Sequence, residues 1–270
     1  MEVATTPGIS ASIEMSNVSK TFRQGNRGVQ VLKDIQFDAK PGEFVSVIGP
    51  SGCGKSTLFK LVAGLERADT GTTTINGKPL KQSDHPVAYM PQKDLLLPWR
   101  SVIRNVTMPL EIAGMSKGEA IDKAKTLFPV FGLEGFEDAY PFTLSGGMRQ
   151  RAALMRTVIQ ERPLMLLDEP FGALDSLTRT EMQEFLLDIW DRFGHTIIFI
   201  THDIREAIYL SDTIYVTTAR PARVRMKVDV DLPRPRALEV ITTPRFTDLE
   251  ADLLHALREE NRQQEATAIE

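Results

Sequence analysis

A chain of 270 residues, 42% hydrophobic and 25% charged, has ordinary globular composition, enough for one large domain or two small ones. A formal net charge of −4 gives no electrostatic reason to expect nucleic acid, the single cysteine Cys53 excludes an internal disulfide, and four scattered histidines without a second thiol argue against a structural zinc site. No run of about 18 apolar residues exists to span a bilayer, and Met1 to Ser12 lacks the basic and apolar parts of a secretion signal, so the expectation is a protein that stays inside the cell.

Residues 1–12 read as a disordered lead-in. Ile13 to Phe22 and Val29 to Phe37 read as strands flanking a turn at Gly25 to Gly28, which makes a hairpin. Pro41-Gly42 turns the chain into Phe44-Val45-Ser46-Val47-Ile48, an apolar run with the character of a buried strand. Directly after it, Gly49-Pro50-Ser51-Gly52-Cys53-Gly54-Lys55-Ser56-Thr57 fits the pattern G-x-x-x-x-G-K-[ST]. Glycines at 49, 52 and 54 let the backbone turn its N–H groups inward, and the helix opening near Lys55 adds its positive dipole end, so the loop is a phosphate cradle. Lys55 is placed to reach terminal phosphates, Ser56 to offer its hydroxyl to Mg²⁺, and Thr57 to bond a phosphate oxygen nearer the sugar. Cys53 is either a small residue tolerated in the loop or a thiol made reactive by the helix end.

The following helix is expected over Ser56 to Leu65, ended by Asp69-Thr70-Gly71. A short strand over Thr72 to Ile75 closes at the turn Asn76-Gly77, and Val87 to Met90 is another. Gln92 follows it, where an amide can sense Mg²⁺ or the last phosphate. From about 95 to 160 helical periodicity replaces strands, as in a separate helical lobe. Leu95, Leu96, Leu97 and Trp99 are either the core of that lobe or a contact for a partner. Ser101 is expected to cap a helix carrying Val102, Val106 and Leu110, and Ser116 with Glu119 forms a capping box. Pro141 breaks the chain before Leu144-Ser145-Gly146-Gly147, and the next helix carries Arg149, Arg151 and Arg156.

Leu164 to Leu167 and Thr196 to Ile200 are continuous apolar runs suited to central parallel strands, with a helix marked by Met182, Phe185, Leu186 and Ile189 between them. Asp168 and Glu169 then stand at the C-terminal end of a buried strand, the edge where open α/β sheets hold ligands. There Asp168 can hold Mg²⁺ and Glu169 can polarise an attacking water. His202 sits at the equivalent end of the next run, where a neutral imidazole could donate to the last phosphate. Val224, Met226, Val228, Val230 and Leu232 alternate with polar residues as in a half-exposed strand. Pro233 and Pro235 mark a linker, and Phe246, Leu249, Leu253 and Leu257 mark one amphipathic helix, either docked on the preceding domain or used as a dimer contact.

The phosphate loop at 49–57, Gln92, Leu144-Ser145-Gly146-Gly147, Asp168-Glu169, Ala173-Leu174-Asp175 and His202 occur in an order that resembles an ATP-binding-cassette (ABC) ATPase. Leu97-Pro98-Trp99-Arg100, Met148, Arg220-Pro221-Ala222-Arg223 and Leu232-Pro233-Arg234-Pro235-Arg236 are similar to the import subunits for nitrate, sulfonates, taurine, bicarbonate or pyrimidine precursors. The resemblance implies an α/β P-loop NTPase of ABC type over 13–232, with a RecA-like core, an N-terminal antiparallel β part and an inserted helical lobe. It implies ATP and Mg²⁺ as cofactors, Phe22 stacked on adenine in place of the more usual Tyr, and Gly49 to Thr57 around the phosphates. It further implies catalysis by Glu169, His202 and Lys55, with Mg²⁺ at Ser56, Gln92 and Asp168. Ser145, Gly146 and Gly147 would grip ATP held by a second copy of the chain, and Asp175 would communicate across that interface. Two membrane permease subunits and an external solute-binding protein follow as partners, with peripheral placement on the cytoplasmic face of the membrane through the permease and no nucleic acid. Met155-Arg156-Thr157 departs from the small residues usual there and is expected to alter helix packing only. An exporter subunit, or a regulatory, repair or ribosome-associated ATPase, is the alternative.

Overall fold

The computed structural model of the protein describes residues 10–25, 27–80 and 86–269. Most of the lead-in expected over 1–12, and Asn26 in the first turn, lie outside the described residues. Its end is not disordered: Ala11 is buried, with its N–H donating to Thr196 Oγ1 at 3.2 Å and its carbonyl accepting from the same hydroxyl at 2.7 Å.

Two sheets form the scaffold. In the first, β1 (Ile13–Gln24), β2 (Arg27–Ala39), β4 (Thr70–Ile75) and β5 (Lys78–Pro79) are antiparallel in the order β2-β1-β4-β5. In the second, β3 (Phe44–Ile48), β6 (Val87–Met90), β7 (Leu164–Asp168), β8 (Thr196–Ile200), β9 (Thr213–Thr217) and β10 (Val224–Asp229) run in the order β10-β9-β3-β8-β7-β6, parallel except for the edge strand β10.

The central parallel strands are predominantly apolar because both faces are covered. Val45, Val47, Leu164, Leu166, Ile198 and Ile200 pack toward the antiparallel sheet and α1 (Lys55–Val62). Their neighbours Phe44, Ile48, Met165, Leu167, Ile197 and Phe199 face the helices: α2 (Val102–Ile112), α3 (Lys117–Leu127), α4 (Gly146–Val158), α5 (Ser176–Phe193), α6 (Ile204–Leu210) and α7 (Pro244–Ile269). The α2 to α4 group is the helical layer expected between 95 and 160, with the Ser116–Glu119 capping box in place at α3. Ser101 does occupy the N-cap of α2, but its side chain makes no capping bond.

Several boundaries differ from expectation. Helix α1 stops at Val62, three residues before Leu65, because Gly64 turns the chain at φ 71°; Thr70 and Gly71, expected as the helix stop, already belong to β4. Strand β9 and helix α6 were not anticipated at all. The alternation through Leu232 overshoots, since β10 ends at Asp229, although Val230 and Leu232 are buried.

The segment after β10 docks on the preceding domain. Arg234 donates to the Asp212 carboxylate at 2.7 Å and to the Leu210 carbonyl at 2.7 Å, while buried Arg236 donates to the carbonyls of Ile208 and Tyr209. These arginines satisfy the carbonyls that α6 leaves open at its C-terminus. Phe246, Leu249, Leu253 and Ala256 of α7 then bury into the helix-side core, which makes α7 a docked helix.

Candidate active site

The phosphate-loop motif and the site residues Gln92, Asp168, Glu169 and His202 lie at or just beyond the C-terminal ends of parallel strands. The loop at 49–57 follows β3, Gln92 follows β6, Asp168 and Glu169 end β7, and His202 follows β8. Gly49 admits no side chain, since a Cβ there would lie 2.0 Å from Thr217 Oγ1 at the end of β9. Gly54, at φ 135°, turns the chain into α1 and would likewise drive a Cβ to 2.9 Å from Val31 Cγ1. The loop is therefore clamped between β9 and β2.

Lys55 is 8% exposed and folds onto its own loop, donating to the carbonyls of Gly49 at 2.8 Å and Pro50 at 3.0 Å. A cavity of about 210 Å³ is lined by Gly52, Gly54, Lys55, Ser56, Thr57, Glu169 and Arg220. Cys53 faces the other way, buried beside Thr217 Oγ1 at 3.4 Å. Its side chain belongs to the core, so a reactive thiol in the cavity is not what the fold provides. Phe22 stands on β1, 37% exposed, with the Lys20 ammonium 5.2 Å from its ring centroid.

Asp168 accepts a hydrogen bond from Tyr89 Oη at 3.1 Å, and Ser56 is close enough to act on its titration. Burial pushes its carboxyl above the usual carboxylate range, against the lowering effect of those two donors, and the neighbouring Glu169 charge pushes the same way. The Tyr89 hydroxyl is pushed up too, by burial and then by the Asp168 charge. A buried carboxylate joined to a hydroxyl, next to a phosphate cradle, fits Mg²⁺, which takes a few hard oxygens from protein and the rest from water and phosphate. Among the described residues no group of three or more His, Cys, Asp or Glu side chains forms an all-protein metal cage.

Glu169 has a positive φ of 45°, a conformation that costs a non-glycine residue about 1–3 kcal/mol, and it is held there by its N–H donating to Ile200 O at 2.9 Å. That turn separates its carboxylate from that of Asp168. Glu169 Oε2 meets Gln92 Nε2 at 3.2 Å and His202 Nδ1 at 3.1 Å, so three residues distant in sequence converge on one oxygen. A carboxylate only accepts, so the proton of a neutral His202 sits on Nδ1 and is spent on Glu169. Donation from that ring to a phosphate requires exchange of this bond or a second proton.

Ser145 is the N-cap of α4, its Oγ accepting from Met148 N at 3.2 Å. Gly146 and Gly147 lie against Leu174 and Thr178, at the start of α5, and none of the three lines the cavity of the same chain. Asp175 caps α5, accepting from Thr178 N at 3.1 Å. Arg156 donates to the carbonyls of Asp94 and Leu95, so the residue expected to alter packing only also ties α4 to the segment after Gln92. In that segment Leu96 is buried, but Leu95 is 57% and Trp99 71% exposed, which overturns the core reading for those two.

Sequence reading missed Tyr89, Thr217 and the cavity position of Arg220. Tyr89 carried no local signal, because its place beside Asp168 comes from the pairing of β6 with β7.

Residues 32–172 match the family described as ABC transporter. An ABC transporter ATP-binding protein of Methanocaldococcus jannaschii is 41% identical over 259 residues, 96% of each chain. The aliphatic sulfonates import ATP-binding protein of Bacillus cereus is 42% identical over 84% of this chain and 89% of its own. The taurine import ATP-binding protein of Rhizobium johnstonii is 40% identical over 89% and 94%. Among solved structures, a dimeric ATP-binding cassette in a post-hydrolysis state bound to ADP and Pi superposes with a TM-score of 0.71 at 29% identity, covering 82% of this chain and all of the other.

Proposed function

The chain belongs to the ABC transporter ATP-binding family, and from that premise we propose that it is the ATP-hydrolysing subunit of an importer for a small solute of the sulfonate or taurine type. The observation that carries the catalytic assignment is the convergence of Gln92 and His202 on Glu169 beside the phosphate cradle. Both contacts fall on Oε2, which leaves Oε1 to accept a proton from the attacking water and aim it at the last phosphate. Lys55 exchanges its two loop carbonyls for phosphate oxygens, trading neutral acceptors for charged ones. Asp168, Ser56 and Gln92 would hold Mg²⁺, which when bound would neutralise charge on the phosphates. Phe22 offers an aromatic face to adenine.

Two copies close head to tail, each supplying Ser145, Gly146 and Gly147 at the N-terminus of α4 to the other's phosphates. The exposed Leu95 and Trp99, on a segment tied both to Gln92 and to α4, are the surface offered to a permease. Among the described residues no helix is long and apolar enough to cross a membrane, so attachment to the cytoplasmic face runs through two permease subunits, which receive solute from an external binding protein.

Glu169→Gln keeps the contacts to Gln92 and His202 but removes the base. Turnover of Mg-ATP is expected to fall by about 10²–10⁴-fold while Mg-ATP affinity, measured by calorimetry, is kept. Undiminished turnover would remove Glu169 from the reaction.

A further inference from the structure

Arg220 lies outside the phosphate-loop motif and yet lines its cavity. Its Nη2 donates to the Gly52 carbonyl at 2.6 Å, and it shares the cavity wall with Lys55, Ser56 and Glu169. The loop that carries it is held on several sides. Ala222 exchanges backbone hydrogen bonds with β2, donating to Val31 O at 2.8 Å and accepting from Lys33 N at 2.9 Å. Thr218 N donates to Arg223 O at 2.9 Å, closing the turn. The remaining tie comes from the far end of the chain: Ala219 N donates to Glu260 Oε2 at 3.2 Å. Glu260, on α7, is 4% exposed and is fixed in turn by Arg225 Nη1 at 2.5 Å.

We propose that Arg220 is a phosphate-binding residue of its own chain's nucleotide pocket, and that Glu260 of the C-terminal helix is the positioning residue that sets its loop. The inference rests on the reading of this cavity as the ATP site. A guanidinium carries five donors in a fixed fork, so the contact to Gly52 uses only part of its capacity. Bonding the loop carbonyl with one nitrogen leaves the others for an anionic oxygen, and a held loop lowers the entropy lost when they engage. The arrangement links a helix outside the chemistry to nucleotide affinity through Glu260, Ala219 and Arg220. It also gives a use to the Arg-Pro-Ala-Arg run that the phosphate-loop chemistry leaves without one.

The test is calorimetric titration of the full chain with Mg-ATP, alongside steady-state ATPase rates. Arg220→Ala is expected to weaken Mg-ATP binding about tenfold or more, the loss of a charge-assisted hydrogen bond. Arg220→Lys keeps the charge and is expected to stay within about threefold of wild type. The loss should appear in KM with kcat kept, because the contact is made before and during the reaction alike. Glu260→Ala is expected to weaken binding by about threefold in the wild-type background and not at all on top of Arg220→Ala, as the double-mutant cycle requires of a residue acting through another. If Arg220→Ala binds Mg-ATP like wild type, the role of Arg220 is overturned; if Glu260→Ala and Arg220→Ala add, that of Glu260 is. Should the wild-type chain itself bind no Mg-ATP, the reading of the cavity falls first and this inference falls with it.

Discussion

Tyr89 shows how a single side chain tunes Asp168, the carboxylate proposed to hold Mg²⁺. Burial raises the pKa of Asp168, and the Tyr89 hydroxyl at 3.1 Å and Ser56 oppose that rise by stabilising the ionised form. A carboxyl whose pKa rises on folding favours the folded state when protonated, so its contribution to stability grows as pH falls through the raised value and is smallest at neutral pH. Mg²⁺ requires the opposite, the carboxylate, so protons and the ion compete. Tyr89→Phe removes one of the two opposing donors and raises the pKa further. Acid loss of Mg²⁺-dependent nucleotide binding should therefore begin at a higher pH in this variant than in wild type, as titrations across a pH series would show. An unmoved midpoint would mean that Tyr89 does not act on Asp168. The clustering of Lys55, Ser56, Asp168 and Glu169 was legible in the sequence because the motif and the apolar runs place them at strand ends. Tyr89 was not, because its role comes from pairing of β6 with β7, which local sequence does not display.

At the scale of elements, the docking of α7 rests on buried apolar side chains. Phe246 is fully buried, with the Arg205 guanidinium 5.5 Å from its ring centroid, and Arg205 also reaches Glu250 at 3.1 Å. Phe246→Ala is expected to cost about 3–5 kcal/mol of stability, read from urea unfolding. A loss under about 1 kcal/mol would mean that α7 does not contribute to the folded core. The amphipathic spacing of this helix was readable, but not its docking site, since the Arg234 and Arg236 contacts to the end of α6 depend on a helix that the sequence reading passed over. Strands β3, β7 and β8 were legible because burial on both faces makes them unbroken apolar runs. Strand β9 is just as buried, but Thr at both ends of Thr213-Ile214-Tyr215-Val216-Thr217 hides it from a search for apolar runs. Density of β-branched and aromatic residues was the signal that would have found it.

For the whole molecule, the decisive feature is what one chain does not bring together. The phosphate cradle, Asp168, Glu169, Gln92 and His202 share one sheet edge, while Ser145, Gly146 and Gly147 cap α4 away from that chain's own cavity. On the proposed function a second copy completes the nucleotide site, and the dimeric cassette among the structural neighbours has the matching fold. Arg156 and Asp94 join α4 to the segment between Gln92 and the exposed Trp99. The direct measurement is the mass of Glu169→Gln by light scattering, with and without Mg-ATP. The account predicts a monomer that becomes a dimer when the nucleotide is added; a nucleotide-loaded chain that stays monomeric would contradict it.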